Sequence, residues 1–205
     1  MSDSGITTRD DVYLVRHGET AWTITGQHTG RTDLALTSRG EEQARSLGPR
    51  LNGLRFDHVF SSPLRRALRT CELAGFAGPA RLDPDLLEWD YGYYEGRTLA
   101  EIHRERPDWE LFRDGCPGGE SVLQITERAD RVVSRLRTLK GNVLIFSSGH
   151  VLRVLAARWV EASEALGRRL VLDPACVCVL GYDHAGTDSV IRLWNDRSMP
   201  QRRTT

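Results

Sequence analysis

The sequence predicts an α/β fold in three layers, an α/β/α sandwich around a mostly parallel central sheet with an antiparallel edge strand. Short apolar runs alternate with amphipathic helical patterns, which is typical of strands joined by crossover helices. The last two apolar runs lie close together around His184, Ala185 and Gly186, and this spacing predicts a hairpin at the sheet edge. The length of 205 residues suits one domain over the whole chain, 1–205.

The individual elements follow from residue patterns and from helix-end signals. Strands are predicted where β-branched and aromatic residues are enriched, at 12–15, 58–61, 142–146, 177–182 and 190–194. Helices are predicted where apolar residues recur at helical spacing, at 38–51, 63–74, 99–104, 121–139 and 151–160. Pro63 suits the first turn of its helix, with Ser61 and Ser62 as capping residues, and Gly141 suits the end of the long helix.

The stretch at about 86–120 does not fit the alternation of strands and helices. It combines many charged residues and Gly and Pro with six aromatic side chains, those of Trp89, Tyr91, Tyr93, Tyr94, Trp109 and Phe112. We expect an insertion that folds over the ligand site as a partial lid. A surface excursion whose aromatic residues cover a core edge fits equally well. The two ends, 1–10 and 200–205, are predicted to fray.

Composition excludes several classes of function. Lys+Arg and Asp+Glu both total 28, and this neutral balance argues against a general nucleic-acid binder and against a binder of anionic membranes. No apolar run approaches the ~20 residues that span a bilayer, and the polar start of the chain lacks a secretory signal. The cysteines have no metal-ligand spacing and predict free thiols in a reducing cytoplasm; they are Cys71, Cys116, Cys176 and Cys178.

The most informative stretch is Arg16-His17-Gly18-Glu19-Thr20, directly after the apolar run 12–15. Gly18 ends that run, so an Arg and a His lie at the carboxyl end of a predicted strand, where open α/β sheets bind ligands. A neutral imidazole can attack phosphorus, and a guanidinium offers a planar set of donors to phosphate oxygens. A lone His beside a Gly is more often a turn or core residue, so this motif needs support from others.

Four further segments point to phosphate, although each alone also fits a solvated turn or loop. His150 follows the strand at 142–146, and the helix after it would offer free N–H groups to an anion. The helix at 63–74 directs either Arg65 or Arg66 to the same edge, because consecutive helical residues point about 100° apart. Glu88 lies among aromatic residues, where a general acid is often found. His28-Thr29-Gly30 contains small residues that let the backbone approach a ligand closely.

In this order the segments resemble the histidine phosphatase superfamily, also called the phosphoglycerate mutase-like family, over residues 12 to about 195. The resemblance rests on Arg16-His17-Gly18-Glu19-Thr20, His28-Thr29-Gly30-Arg31-Thr32-Asp33, Ser62-Pro63-Leu64-Arg65-Arg66-Ala67, Glu88-Trp89-Asp90-Tyr91-Gly92, Pro117-Gly118-Gly119-Glu120-Ser121 and Gly149-His150.

The resemblance implies a catalytic role for five residues. His17 would be the nucleophile that becomes phosphohistidine. Arg16, Arg66 and His150 would hold the phosphoryl oxygens, with Arg66 selected over Arg65 because it directly precedes Ala67. Glu88 would protonate the leaving alkoxide and then activate water. Neither a metal nor a cofactor is expected, because Arg and His supply the positive charge.

Further residues are expected to bind the substrate, namely Thr23, Thr29, Gly30, Tyr91 and Val151. Thr23 stands where many relatives have Asn, and it is expected to be a weaker ligand. Ser148 and Gly149 precede His150 where an apolar residue and a small residue are more usual. The expected partner is a small phosphorylated metabolite, with no nucleic acid and no membrane, and the sequence leaves a homodimer open.

The family contains both phosphatases and mutases, so the resemblance by itself does not choose between these two activities. Cofactor-dependent mutases of the family carry a longer insertion in which a Lys and paired Arg residues hold a phosphorylated acid. Here Leu99 falls where that Lys would be, and the first lysine of the chain is Lys140. We therefore expect a metal-independent phosphatase that hydrolyses a small monoester, either a sugar phosphate or a phosphorylated acid.

Three other functions remain as alternatives to the phosphatase. They are a phosphoglycerate mutase, a catalytically silent module that binds a phospho-ligand, and a zinc hydrolase that uses His17, His150 and Glu88. The silent module is disfavoured because all the catalytic residues of the motif set are present. The stretch from Glu88 to Gly96, followed by Arg113, resembles a branch with sugar-bisphosphatases and broad-specificity acid phosphatases.

Overall fold

The structure is a computed structural model that describes residues 10–183 and 186–198. A six-stranded sheet forms its centre, with the strands β1 Val12–Arg16, β2 His58–Ser61, β3 Ala80–Leu82, β4 Val143–Ser147, β5 Val177–Tyr182 and β6 Ser189–Asp196. The spatial order is β3-β2-β4-β1-β5-β6. The first four are parallel, whereas β5 pairs antiparallel with β1 and β6 pairs antiparallel with β5. This confirms the predicted mostly parallel sheet and its terminal hairpin, although His184 and Ala185 lie outside the described residues.

The third strand was not predicted from the sequence. It has only three residues, Ala80–Leu82, and it pairs with β2 at the edge of the sheet. Leu82 is exposed, so the segment lacks the alternation of buried and exposed side chains that a half-buried strand shows. An element this short carries too little pattern to be recognised without its partner.

Helices cover both faces of the sheet. They are α1 Ala21–Thr25, α2 Ser38–Leu51, α3 Arg65–Leu73, α4 Leu99–Glu105, α5 Leu111–Asp114, α6 Val122–Leu136 and α7 Gly149–Trp159. Short 3₁₀ helices lie at Pro84–Leu86, Gly92–Tyr94 and Glu164–Arg169. The five predicted helices are all present, and α1 and α5 are additional short ones.

Two predicted helix ends were wrong. The helix α3 begins at Arg65, after Pro63, and the backbone N–H of Arg65 donates to Oδ1 of Asp33 at 2.7 Å. A distant carboxylate therefore caps this helix in place of the neighbouring Ser61 and Ser62. The helix α6 ends at Leu136, and Gly141, with φ of 87°, lies in the turn that leads into β4.

The two faces of the sheet have separate cores, which fixes where the strand-end side chains point. Val15 of β1 and Phe146 of β4 pack on the side of α2 and α3. Leu14 and Ile145 pack on the other side, with α6 and α7. Because side chains alternate along a strand, the residues that follow at the carboxyl ends of β1 and β4 also alternate between these two faces.

The stretch at 86–120 packs on the α6 and α7 side. Five of its six aromatic side chains are buried in the core of that side, and only Tyr93 is exposed. Its helix α4 begins with a capping box formed by Thr98 and Glu101. The aromatic residues therefore cover a core edge, while closure of this stretch as a lid stays a prediction. Over the described residues, no helix is both long and apolar enough to cross a membrane.

Candidate active site

A tight turn presents His17 at the carboxyl end of β1. The backbone N–H of His17 donates to the carbonyl oxygen of Ser147 on β4 at 2.9 Å, and that of Gly18 donates to Oγ1 of Thr70 on α3 at 3.0 Å. A side chain on Gly18 would bring its Cβ to 2.3 Å from the carbonyl oxygen of Gly40. The turn therefore requires glycine, and it fixes His17 between the sheet and α3.

The ring of His17 is held in the form that a nucleophile needs. Its Nδ1 lies 2.8 Å from the carbonyl oxygen of Gly18. Because a carbonyl oxygen only accepts, Nδ1 carries the proton and Nε2 has the free electron pair. Burial, with the positive charges of Arg66 and Arg16 nearby, holds the pKa of His17 well below its ordinary value. The imidazole is thus neutral at physiological pH.

The side chain of Arg66 is fully buried and is held by backbone carbonyls. Its two terminal nitrogens donate to the carbonyl oxygens of Thr32 at 3.0 Å, Thr29 at 3.0 Å and Gly30 at 2.9 Å. Its Nε has no hydrogen-bond partner in the described part of the chain. The side chain of Arg65 is exposed, so Arg66 is the arginine of this pair that lies near His17.

A second buried donor belongs to Arg16. One terminal nitrogen of Arg16 donates to the carbonyl oxygen of Leu172. Its Nε is buried and lacks a hydrogen-bond partner among residues 10–183 and 186–198. A Cβ on Gly149 would lie 3.3 Å from this Nε, so the glycine lets the backbone of α7 approach the guanidinium. Both arginines close to His17 therefore keep one buried N–H group free.

The carboxylate of Glu88 is fixed by the backbone at the start of α7. Its Oε1 accepts hydrogen bonds from the N–H of Trp89 at 2.9 Å and of Val151 at 2.8 Å. Its Oε2 accepts from the N–H of His150 at 2.9 Å. The side chain is almost completely buried and contributes to the wall of the central cleft. A carboxylate at a helix N-terminus is also favoured by the helix dipole.

The ring of His150 is paired with Tyr91. Its Nδ1 lies 2.5 Å from the hydroxyl of Tyr91. Burial lowers the pKa of His150 well below its ordinary value, and burial raises the pKa of Tyr91 well above its ordinary value. The neutral tyrosine and the neutral imidazole therefore share one hydrogen bond through Nδ1, and this bond fixes the orientation of the His150 ring. The ring of His28 stacks on that of His150 at 6.4 Å.

These groups surround a cleft of about 200 Å³ at the carboxyl edge of the sheet. Seven of the residues predicted for the site line it, namely Arg16, His17, Thr23, Thr29, Glu88, Tyr91 and His150. The sequence-predicted residues Arg66, Gly30 and Val151 are not among those that line it.

The residues behind the cleft wall have supporting contacts. The N–H of Gly30 donates to Oε1 of Glu95 at 2.9 Å, and a Cβ on Gly30 would lie 2.5 Å from the carbonyl oxygen of Trp89. Val151 is buried and provides the N–H that binds Glu88. Although Thr23 lines the cleft, its hydroxyl donates to the carbonyl oxygen of Thr20 at 2.8 Å and caps α1.

Sequence reasoning missed Arg153, which lines the cleft one helical turn after His150. Its Nε donates to the carbonyl oxygen of Gly167 at 2.7 Å, and its guanidinium lies 5.1 Å from the ring centre of Phe112. The i, i+3 spacing from His150 was a signal that could have identified it. Leu172 was also missed, and its backbone contact with Arg16 leaves no trace in the sequence.

The arrangement gives no metal-binding cluster in the described residues, where no group of three or more His, Cys, Asp or Glu side chains could hold an ion. Both carboxylate oxygens of Glu88 already accept backbone N–H groups. The four cysteines are free and buried.

Comparison with known proteins assigns this site to a family. Residues 12–197 match the model of the histidine phosphatase superfamily (branch 1). An acid phosphatase of Mycobacterium tuberculosis is 42% identical over 175 residues, which cover 83% of this chain and 86% of that protein. A sedoheptulose 1,7-bisphosphatase of Saccharomyces cerevisiae is 36% identical over 179 residues, 71% of this chain and 66% of that protein.

A solved structure agrees with these relatives. The structure of the open reading frame Rv3214 from Mycobacterium tuberculosis has a TM-score of 0.86 and 39% identity, over 91% of this chain and 97% of that chain. Other relatives, at 36% identity or less, carry the name "Probable phosphoglycerate mutase GpmB". The chain belongs to the histidine phosphatase superfamily, as the motifs of the sequence indicated. Within that family it is a phosphoric monoester hydrolase.

Proposed function

We propose that the protein hydrolyses a small phosphate monoester in two steps, through a phosphohistidine on His17. The observation that carries the proposal is the contact between Nδ1 of His17 and the carbonyl oxygen of Gly18, because it leaves Nε2 free in a neutral ring. That ring lies beside Arg16 and Arg66, each of which has a free buried N–H group for phosphoryl oxygens.

In the first step, Nε2 of His17 forms a bond to phosphorus while the ester P–O bond breaks. The protonated carboxyl of Glu88 gives its proton to the leaving alkoxide, so the alcohol departs neutral. In the second step, water attacks phosphorus, Glu88 takes a proton from that water, and the P–N bond breaks. Inorganic phosphate leaves, and His17 returns to its neutral form with the proton on Nδ1.

We expect hydrolysis to exceed phosphoglycerate interconversion, with a sugar phosphate or a phosphorylated acid as substrate. Leu99 is an exposed apolar residue that lines the pocket of about 440 Å³ beside the cleft, at the position where the mutases carry a lysine. Phosphatase names among the relatives support the same choice. Both reactions should be assayed with one preparation, and faster interconversion would support the mutase instead.

The decisive experiment is to quench the enzyme during turnover of a ³²P-labelled monoester and to map the label. We expect an acid-labile, base-stable label on His17 and none in the folded variant His17→Ala, which should lose almost all turnover. Full activity in a strong chelator would exclude the zinc hydrolase. Retained ligand without any turnover would favour the silent binding module, and a label on another residue would refute the mechanism.

The proposed partner and compartment rest on the phosphate chemistry of the site, on the free cysteines and on the net charge of the chain. We propose a small phosphorylated metabolite as partner and a reducing cytoplasm as compartment, since the four free cysteines are buried thiols. Neither nucleic acid nor a membrane surface is proposed as a partner, because the chain has no net charge. Activity in a cytosolic fraction, against none in a membrane fraction, is the expected distribution.

A further inference from the structure

Ser148 directly follows β4, at the end of the sheet where His17 follows the neighbouring strand β1. The parallel register pairs Arg16 of β1 with Ser147 of β4, and the N–H of His17 donates to the carbonyl oxygen of Ser147. Ser148 is the first residue after β4, just as His17 is the first residue after β1. His150 is two residues further along, in the first turn of α7.

The side chains of Ser148 and His17 belong to the same face of the sheet. Val15 and Phe146 face the core of α2 and α3, and alternation returns His17 and Ser148 to that side. This is the side of α3, which carries Arg66. Ser147 points the other way, where its hydroxyl donates to the carbonyl oxygen of Leu86 at 2.6 Å.

The hydroxyl of Ser148 is buried and unused. The residue has no exposed surface, and its Oγ has no hydrogen-bond partner in the described parts of the chain. Ser148 is the N-cap of α7, yet within the described residues its side chain makes no capping bond. Glu88 already binds the N–H groups of His150 and Val151. Because a buried hydroxyl without a partner is costly, this group is poised for a ligand.

We propose that Oγ of Ser148 donates a hydrogen bond to an oxygen of the phosphoryl group that His17 accepts. The inference rests on the proposed function and deepens it, because it names a phosphoryl ligand that the resemblance did not assign. His150 lies further from the end of β4, where its Nδ1 is 2.5 Å from the hydroxyl of Tyr91 and its ring lies 5.7 Å from that of Phe112.

This assignment gives the phosphoryl site a distinct charge balance. A serine hydroxyl is neutral over the whole working range of pH, so it contributes a hydrogen bond without adding charge. The positive charge at the phosphoryl group then comes from Arg16 and Arg66. Loss of the hydroxyl should therefore weaken binding of a phosphate analogue without changing the shape of the pH profile.

The test is Ser148→Ala, measured as kcat/KM for p-nitrophenyl phosphate and as the inhibition constant for orthovanadate. By analogy with other donors to developing charge, we expect kcat/KM to fall about 100-fold. The vanadate constant should rise about tenfold, and the pH profile should keep its shape. The variant should stay folded, because in the described structure this side chain makes no capping bond. Ser148→Thr keeps the hydroxyl and should recover most of both values.

Ser147→Ala is the matched control, since it removes a buried neighbouring hydroxyl on the opposite face. We expect this control to unfold at a lower denaturant concentration than the wild type. Its inhibition constant for orthovanadate should stay within about threefold of the wild-type value. Wild-type values of both quantities in Ser148→Ala would overturn the inference. If Ser148→Ala behaves as wild type and the wild type still carries the label on His17, the inference about Ser148 fails but the proposed function stands. Absence of the label in the wild type would refute the proposed function itself.

Discussion

The carboxylate of Glu88 accepts a hydrogen bond of 2.8 Å from the backbone N–H of Val151, so the proposed acid–base group is joined to the first turn of α7. The same carboxylate binds the N–H of His150 at 2.9 Å. Glu88 comes from the stretch at 86–120, and α7 follows β4. One side chain therefore connects the aromatic stretch, the helix and the cleft, and its replacement should affect both chemistry and stability.

We expect Glu88→Gln to lower kcat/KM for an alkyl phosphate by about 100-fold or more, because general acid–base catalysis typically contributes that much. The loss should be much smaller for p-nitrophenyl phosphate, whose leaving group needs little protonation. The comparison of the two esters with one enzyme preparation measures the difference. Equal losses for both esters would argue against Glu88 as the proton donor to the leaving group.

The same variant should also unfold more easily. The amide of glutamine has one acceptor oxygen, so its NH₂ group must face a backbone N–H that Glu88 now binds. An unsatisfied buried donor costs about 1–3 kcal/mol. Urea denaturation with the free energy of unfolding as readout is the measurement. An unchanged midpoint would mean that the backbone donors find water instead.

We expect Tyr91→Phe to release the ring of His150. The substitution removes the hydroxyl that lies 2.5 Å from Nδ1, so a single tautomer of the ring is no longer selected. Histidine nitrogen NMR should show a mixed tautomer at His150, with kcat/KM reduced about tenfold or less. His17 should keep its tautomer, because its acceptor is the carbonyl oxygen of Gly18. A change at His17 of the same size would contradict the separation of the two rings.

Activity should persist at acidic pH, because burial holds the pKa of His17 well below its ordinary value of 6.5. The nucleophile therefore stays neutral as the pH falls below 6.5. The measurement is kcat/KM across this range, corrected for ionisation of the substrate phosphate. A loss of wild-type activity that tracks an apparent pKa near 6.5 would contradict this expectation.

Stability should fall over the same range of pH. Burial lowers the pKa of His17 and of His150 in the folded state, whereas in the unfolded chain both return to about 6.5. The unfolded chain therefore binds more protons below that value. The stabilisation is complete above pH 6.5 and is lost as the pH falls towards the folded-state values. Denaturation at several pH values measures the slope, which should be shallower in His150→Gln.

We expect Gly30→Ala to lower both stability and activity, since a Cβ there would lie 2.5 Å from the carbonyl oxygen of Trp89. The displaced backbone is the one whose carbonyl groups hold Arg66. Gly78→Ala is the matched control, because an added Cβ meets nothing within 4 Å there. Comparable losses in both variants would show that the effect comes from helix or chain propensity rather than from crowding at the site.

Much of the fold could be predicted because its signals are local. The apolar run of β4 and the helical spacing of apolar residues in α6 were visible in the chain, and both elements are present. The short strand β3 could not be predicted, because it is defined by its pairing with β2 and its own residue pattern is too short to indicate a strand. The start of α3 was misplaced because its cap is Asp33, which lies far back in the chain.

The candidate site likewise contains residues that the sequence predicted and contacts that it could not predict. The motif residues Arg16, His17 and Glu88 were selected from sequence, and they line one cleft. The acceptor of the His17 proton and the role of Val151 depend on backbone atoms, which every residue carries alike. Sequence alone could not reveal these contacts. Arg153 lines the cleft because α7 places it one helical turn after His150, a spacing that was present in the sequence but was not used.

The sequence by itself determined the family, the strand-end placement of His17 and the choice of phosphate chemistry, because each depends on residue type and on short spacings. The tertiary structure decided which side chains stand level with the nucleophile. Parallel register pairs Arg16 with Ser147, so Ser148 and His17 are the residues that follow this pair, whereas His150 lies in the first turn of α7. Register is set by hydrogen bonds between strands that are far apart in the chain, so a motif that ends in a histidine does not reveal which of its residues faces the nucleophile.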